Sequence, residues 1–198
     1  MTIDTKDILN SILASISRID YIKTEEIPNI DLYMDQATTF MEEHLAASKR
    51  HTEDKILTKT MINNYAKNHL LPPPVKKKYS REHLLLLTFI YYFKNILSIN
   101  DIQVLLAPLT EKYFSQEDGI QLTDIYEDIM NLELSQIEPL AKDVTRKFNK
   151  SQESFADAEE ADREFLQKFA FICMLSFDVY VKKQVIEQLI DHMSDPAN

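Results

Sequence analysis

Residues 58–79 read TKTMINNYAKNHLLPPPVKKKY, and our prediction of the fold starts from their pattern. Thr58 is typical of a helix N-cap, and the apolar side chains that follow it recur at helical spacing. They are Met61, Ile62 and Tyr65. The prolines from Pro72 onward cannot continue a helix and favour extended backbone. The order of these residues predicts a short helix over 58–70 and then a short basic loop over 72–79.

The polar side chains of this helix and loop suit DNA. Asparagine can read adenine edges in the major groove, and lysine and threonine suit phosphates and base edges. A basic loop directly after such a helix can reach the flanking DNA backbone. We therefore predict that the following residues contact DNA: Thr58, Lys59, Thr60, Asn63, Asn64, Lys67, Lys76, Lys77, Lys78, Tyr79 and Arg81. The alternative is that Asn63 and Asn64 face solvent and that the lysines lie on an ordinary solvated loop.

The charge distribution singles out the same part of the chain. The net charge is −10, which is unusual for a nucleic-acid binder. Residues 45–100, however, carry ten Lys or Arg and three Asp or Glu, a balance of +7. The other residues carry twelve basic and 29 acidic side chains, a balance of −17. A polyanion such as DNA responds to the charge of the surface that it approaches. The basic segment therefore favours a DNA partner, although the total charge of the chain is negative.

The chain of 198 residues has one glycine, Gly119. Phosphate-cradling loops need several glycines at fixed offsets, which excludes P-loop and Rossmann nucleotide-binding folds. Hairpin-rich β folds also depend on glycine for turns with positive φ. We therefore predict an all-α fold of two modules, 1–114 and 120–198. Gly119 is predicted to be the joint between them, in the left-handed region.

Helical apolar spacing continues along the rest of the chain. It predicts a first helix over 4–22 and a later helix that Ser80 begins, which is apolar nearly all round over 84–97 and is therefore buried. A further helix follows, with Ser98 as its N-cap. The last helix, over 158–193, is predicted to be long. Its apolar middle, 165–181, should be buried in the core or at an interface.

The segment 58–80 resembles the MerR-type winged helix-turn-helix. The matching pattern is Thr58-x-x-Met61-Ile62-x-x-Tyr65, then Leu70-Leu71-Pro72-Pro73 and Tyr79-Ser80. The resemblance covers about residues 30–109. It implies a winged helix-turn-helix with 58–70 as the recognition helix and 72–79 as the wing. It also implies a homodimer through the C-terminal helices and a symmetric operator.

Three features differ from the MerR pattern. Asn63-Asn64 stands where that family has a basic-aromatic pair, and His69 stands where it has the glycine that ends the helix. The polar insert 46–57 takes the place of a tight turn. The run that includes 32–36 also resembles an uncharacterised bacterial family, the domain of unknown function 1836. That resemblance implies no function.

The sequence indicates no other chemistry. The five histidines lack the spacing that puts metal ligands on one helix face. Cys173 lies among apolar residues, which predicts a packed small hydrophobe. We expect no enzyme activity, no cofactor and no metal. The N-terminus has no signal-peptide pattern, and the longest apolar stretch, 84–93, is too short to span a membrane, so we expect a cytoplasmic protein.

Two hypotheses follow from the sequence. In the first, the protein is a transcription regulator whose module 1–114 binds double-stranded DNA and whose module 120–198 dimerises or senses a signal. In the second, it is a helical protein-interaction adaptor that keeps the winged-helix scaffold without binding nucleic acid. The sequence identifies neither an operator nor an effector.

Overall fold

The computed structural model describes residues 5–16, 21–116 and 118–194. Over this part of the chain the predicted all-α fold is confirmed. The helices are α1 (Thr5–Ile16), α2 (Met34–Leu45), α3 (Lys59–Lys67), α4 (Arg81–Phe93), α5 (Ile99–Tyr113), α6 (Leu122–Leu134), α7 (Ile137–Gln152) and α8 (Glu160–Ser194). Two short antiparallel strands, β1 (Leu32–Tyr33) and β2 (Lys78–Tyr79), pair Leu32 with Tyr79 and Tyr33 with Lys78.

Contacts between residues group the chain into two compact units. The described residues of the larger unit are 21–116, 118–131 and 187–194, and those of the smaller unit are 5–16 and 132–186. This grouping differs from the two modules 1–114 and 120–198, which stay a prediction. Gly119 has the expected left-handed backbone, with φ of +81°, but it lies within the larger unit.

The predicted first helix is described over Thr5–Ile16 as α1. Its predicted continuation over 17–20 lies outside the described residues, as do the chain ends at 1–4 and 195–198. The prediction of helix over 21–22 is wrong, because these two residues lie in no helix.

The core of the larger unit is built around α4. Every side chain from His83 to Tyr91 is buried, which confirms the predicted buried helix. The helix ends at Phe93, before the predicted end at 97. Four consecutive leucines and the residues after them leave no polar face, so the helix is stable only when other elements surround it. Those that do include α2 and β2.

Side-chain caps begin two helices as predicted. The Thr58 hydroxyl accepts a hydrogen bond from the Met61 N–H at 3.2 Å, at the start of α3. At the start of α5, the Ser98 hydroxyl accepts from the Asp101 N–H, and the Asp101 carboxylate accepts from the Ser98 N–H. Each cap satisfies donors that the first helical turn leaves without a partner.

The insert 46–57 is an anchored segment between α2 and α3. It opens with a turn of 3-10 helix over Ala46–Ser48. It ends with two buried apolar side chains, Ile56 and Leu57. The Lys94 ammonium group donates to the Ile56 carbonyl oxygen at 2.7 Å, which ties the insert to the residue that follows α4. These contacts hold the segment in place.

The smaller unit has a modest core of its own. Its buried cluster consists of Leu9 of α1, Phe148 of α7 and Phe171 of α8. The two phenylalanine rings pack edge to face, with their centroids 5.5 Å apart. Lys147 bridges two carboxylates, Asp143 on α7 and Asp178 on α8. A buried cluster of three residues is small for helices of this length, so much apolar surface of the unit remains outside it.

Helix α8 is long, as predicted, but it is not an apolar helix. Ten of its 35 residues are Asp, Glu, Lys or Arg, and two of its described side chains, Phe171 and Ile190, are buried. The prediction that Cys173 is packed is wrong, because its side chain is exposed. Among the described residues, no helix is long and apolar enough to cross a membrane.

Candidate nucleic-acid interface

One side of α3 is polar and exposed. Ile62 and Tyr65 anchor the opposite side in the core of the larger unit. Because a helix repeats every 3.6 residues, the polar side chains then share the outer side. They are Lys59, Thr60, Asn63, Asn64 and Lys67, all of them exposed.

The end of α3 is fixed by a residue with a left-handed backbone. His69 has φ of +57°, the conformation usual for glycine at this position. The Leu70 N–H donates to the Tyr65 carbonyl oxygen at 2.9 Å, and the His69 N–H donates to the Ala66 carbonyl oxygen at 3.3 Å. These two bonds make a Schellman motif, and the buried Leu70 supplies its apolar contact. The chain therefore turns sharply after α3 without a glycine.

A tight turn of two lysines precedes β2. Lys76 and Lys77 have φ of +50° and +67°, and the Lys78 N–H donates to the Val75 carbonyl oxygen at 2.9 Å. Positive φ at both central residues is the pattern of a type I′ turn, which normally takes Asn-Gly. A left-handed residue with a side chain costs about 1–2 kcal/mol. The turn therefore holds two exposed ammonium groups side by side at the expense of backbone strain.

Two contacts join α3 to the lysine turn through β1 and the start of α2. The Lys59 ammonium group pairs with the Asp35 carboxylate at the start of α2. Tyr33 lies two residues before Asp35 in the chain. The centroid of its ring is 5.2 Å from the Lys78 ammonium nitrogen, a cation–π contact. The outer side of α3, Tyr33 and the turn thus form one connected basic surface, which we call the α3–turn surface.

Three of the predicted contact residues, Tyr79, Arg81 and Thr58, are not part of the α3–turn surface. Tyr79 is 2% exposed, because in β2 its side chain points to the core face. The Arg81 guanidinium donates to the Thr24 carbonyl oxygen at 2.7 Å and to Asn29 Oδ1 at 3.2 Å. Both residues position the turn and α4. Thr58 likewise serves as the cap of α3.

His83 lies behind the turn as a buried neutral base. Its Nδ1 accepts a hydrogen bond from the Ser80 N–H at 2.9 Å, so the ring proton is on Nε2. The ring packs edge-on between Tyr79 and Phe114. Burial lowers the pKa of His83, while the Pro72 and Pro73 carbonyl groups, Glu82 and Asp31 act to raise it. Nε2 is buried without a hydrogen bond of ordinary geometry.

Two residues of this region, Tyr33 and Asp35, are not among the predicted contact residues. Tyr33 is exposed on β1 and Asp35 on the first turn of α2. Their partners, Lys78 and Lys59, are more than 20 residues away along the chain. A strand of two residues leaves no periodic signal, so neither contact could be read from local spacing.

Among the described residues, no group of three or more His, Cys, Asp or Glu side chains is placed to hold a metal ion.

A family model described as "Domain of unknown function (DUF1836)" matches residues 22–129, just over half of the chain. The chain therefore belongs to this family. The matched range contains α2 to α5 and the whole α3–turn surface. No curated protein and no solved structure matches the chain.

Proposed function

We propose that this member of the family is a transcription regulator that binds double-stranded DNA. Residues 58–70 would act as the recognition helix and 72–79 as the wing of a winged helix-turn-helix. The observation that carries the proposal is the α3–turn surface, in which an exposed polar helix face and a pair of strained lysines belong to one connected region. We also propose that the protein is cytoplasmic.

The chemistry of the α3–turn surface supports separate roles for its two ends. Asn63 and Asn64 can each present an amide to adenine N6 and N7, the usual asparagine contact in the major groove. Lys76 and Lys77 are point charges suited to phosphates. The Lys59–Asp35 pair is exposed on both sides and contributes little to stability. Lys59 can therefore exchange that carboxylate for a phosphate.

The strain in the turn also supports a role for its charge. An Asn-Gly pair would adopt the same backbone without the steric cost that Lys76 and Lys77 incur. Strained non-glycine residues cluster at functional sites, and the inference runs from the observed outlier to the function. We infer that two adjacent ammonium groups at this point are needed for binding.

We further propose that the protein forms a homodimer through α8. Six large apolar side chains of the smaller unit are exposed on one side of this helix: Phe165, Phe169, Ile172, Phe177, Val179 and Tyr180. At about 100–150 Å² for each, they would bury roughly 700 Å² per protomer. A stable interface needs about 800 Å² from each partner. A dimer of this kind would present two α3–turn surfaces to a symmetric operator.

The second candidate is a protein-interaction adaptor. The same exposed apolar side chains of α8 favour it, since a patch of this size also marks a site for an unrelated protein. In that case the α3–turn surface would be an ordinary solvated surface. A pull-down that yields one stoichiometric protein partner and no nucleic acid supports the adaptor.

Fluorescence anisotropy with genomic DNA fragments, including the region upstream of the protein's own gene, tests DNA binding. We expect binding at 50 mM salt, and K76Q/K77Q should flatten the plot of log affinity against log salt by about 1.8, or ~0.9 for each lost phosphate contact. The matched control is K150Q/K182Q, which removes two exposed charges from the smaller unit. Undetectable binding to every fragment, or equal slopes for the two variants, would refute the proposal.

The double variant K76N/K77G separates binding from stability. We expect the free energy of unfolding to rise by about 1 kcal/mol, because relief of the left-handed strain exceeds the added chain entropy of one glycine. DNA affinity should fall, because both charges are lost. Thermal melts and anisotropy on the same preparation measure the two effects. Unchanged affinity in this variant would show that the turn is not a wing.

A further inference from the structure

We propose that a cavity in the larger unit binds a small organic cation, a primary amine that carries one aromatic ring. The cavity lies between α5 and the end of α3 with the proline segment that follows it, and its volume is about 340 Å³. The described residues that line it are distinct from those of the α3–turn surface and of α8. This binding activity therefore goes beyond the proposed function and does not depend on it.

Two alanines leave the space that the cavity occupies. Ala66 lies in the last turn of α3 and Ala107 on α5, and both line the cavity. Side chains as small as these do not fill the gap between the two elements. The adjoining Leu71 is buried in the core, so this part of the lining is fixed by packing. An apolar ligand group gains van der Waals contacts there and loses its contact with water.

Two consecutive proline rings form a flat apolar wall. Pro72 and Pro73 both line the cavity. Their carbonyl groups lie beside the buried His83 ring, so the segment is held from its inner side. Proline rings pack well against aromatic rings, as they do when proline-rich segments dock in aromatic grooves. An aromatic ring is therefore the apolar body that suits this wall.

The polar side chains at one end of the cavity are hydrogen-bond acceptors. The Thr110 hydroxyl donates its proton to the Ala107 carbonyl oxygen at 2.9 Å, so its oxygen is left to accept. The neighbouring Glu111 also lines the cavity and contributes a carboxylate, which only accepts. A ligand at this end must therefore donate.

The charge of Glu111 is not neutralised by a partner within the described part of the chain. No described lysine or arginine forms an ion pair with it, and none lines the cavity. A primary amine is protonated at neutral pH, as the lysine side chain is, and offers three donors. An ammonium group thus supplies both the donors and the charge that this end of the cavity lacks.

The spacing along α5 sets the length of the ligand. Gln103, Ala107 and Glu111 recur every four residues and share one side of the helix. At a rise of 1.5 Å per residue, Gln103 and Glu111 lie about 12 Å apart along the axis. The Gln103 amide can therefore bind a hydroxyl group at the end of the ligand remote from its ammonium group.

The volume sets the same limit. At about 30 Å³ per water-sized group, 340 Å³ accommodates roughly eleven non-hydrogen atoms. An aromatic ring with a two-carbon amine chain and a hydroxyl group meets this limit, whereas nucleotides exceed it.

His69 adds a ring at the rim of the cavity. Its side chain is exposed and lines the cavity from the end of α3. Its backbone has φ of +57°, which glycine would adopt without strain. The residue therefore provides an imidazole, against which an aromatic ligand can pack, where glycine would leave the rim open.

Isothermal titration calorimetry of the full-length protein with tyramine tests the proposal. The comparison ligand is 4-ethylphenol, which has the same ring and lacks the ammonium group. Wild type should bind tyramine saturably, and Glu111→Gln should weaken tyramine about tenfold, as expected for the loss of one charge-assisted hydrogen bond at an exposed site. The affinity for 4-ethylphenol should be equal in wild type and Glu111→Gln. The control Glu43→Gln removes an exposed carboxylate on α2 and should bind tyramine as wild type does.

A second variant tests where the ligand lies. Ala107→Leu puts a larger side chain into the cavity, so it should abolish the binding of both ligands. Its thermal melt should keep the cooperative transition of wild type, which shows that the fold is retained.

Three results would overturn the proposal. The first is the absence of saturable tyramine binding by wild type up to millimolar concentration. The second is equal weakening, or none, in Glu111→Gln and Glu43→Gln, which is what non-specific attraction of a cation to a chain of net charge −10 produces. The third is binding of tyramine by folded Ala107→Leu with wild-type affinity, since the ligand would then lie elsewhere.

Discussion

Helices α4 and α8 are both rich in apolar residues, yet they have opposite surroundings. In α4, of 13 residues, every side chain from His83 to Tyr91 is buried. In α8, of 35 residues, Phe165, Phe169 and Phe177 are each more than half exposed. The difference lies in the elements that pack around each helix. Apolar content predicts that a helix needs a partner, and only the packing tells whether the same chain supplies it.

The largest effect that we expect from this comparison is in α4. Leu86→Ala removes a fully buried side chain and should lower the free energy of unfolding by about 2–5 kcal/mol. Phe165→Ala on α8 should change it by less than about 0.5 kcal/mol at low protein concentration, because the ring is 67% exposed. Urea unfolding measures both values. Equal losses of unfolding free energy in Leu86→Ala and Phe165→Ala would contradict the difference in burial between α4 and α8.

A second effect concerns association. Phe169→Asp puts a charge in the middle of the exposed apolar side of α8 and should raise the dimer dissociation constant by about 30-fold or more, as expected for the loss of a central aromatic residue. Sedimentation velocity over a range of concentrations measures this shift. Val185→Asp, farther along α8, is the control. A wild-type protein that stays monomeric at high concentration would contradict the proposed dimer.

The smallest effect should come from pH. His83 is neutral in the folded protein because burial lowers its pKa below the ordinary 6.5, whereas the unfolded chain takes up a proton near that value. Its contribution to stability is therefore present above about pH 6.5 and is lost as the pH falls below it. Thermal melts from pH 7.5 to 5 should show a falling Tm. His83→Gln keeps an acceptor for the Ser80 N–H and should show a shallower fall.

The local features of the fold followed from the sequence. Thr58 and Ser98 cap their helices as predicted, because an N-cap hydroxyl bonds within its own first turn. Helix α3 begins after Thr58 as expected, but it ends at Lys67 and not at Leu70, because the left-handed His69 turns the chain before the prolines are reached. Interactions that depend on residues close in the chain are visible to sequence patterns. Those between distant residues, such as the Lys94–Ile56 bond that anchors the insert, are not.

The candidate site could be predicted only in part. The exposed face of α3 follows from helical spacing once the buried face is known. The sequence predicts that Tyr79 and Arg81 contact DNA, but the pairing of β1 with β2 turns Tyr79 inward, and the Thr24 carbonyl oxygen binds the Arg81 guanidinium. Cys173 illustrates the converse, since Phe169, Ile172 and Phe177 around it are themselves exposed.

The left-handed residues also affect the unfolded chain. Most proteins place glycine at such positions, which widens the range of backbone conformations open to the unfolded state. Here His69, Lys76 and Lys77 occupy them, and Gly119 is the one glycine in the sequence. The unfolded ensemble is correspondingly narrower, and folding loses less conformational entropy at each bend. This smaller loss of conformational entropy offsets part of the free energy that strain costs in the native turns. Every bend except the one at Gly119 also carries a side chain.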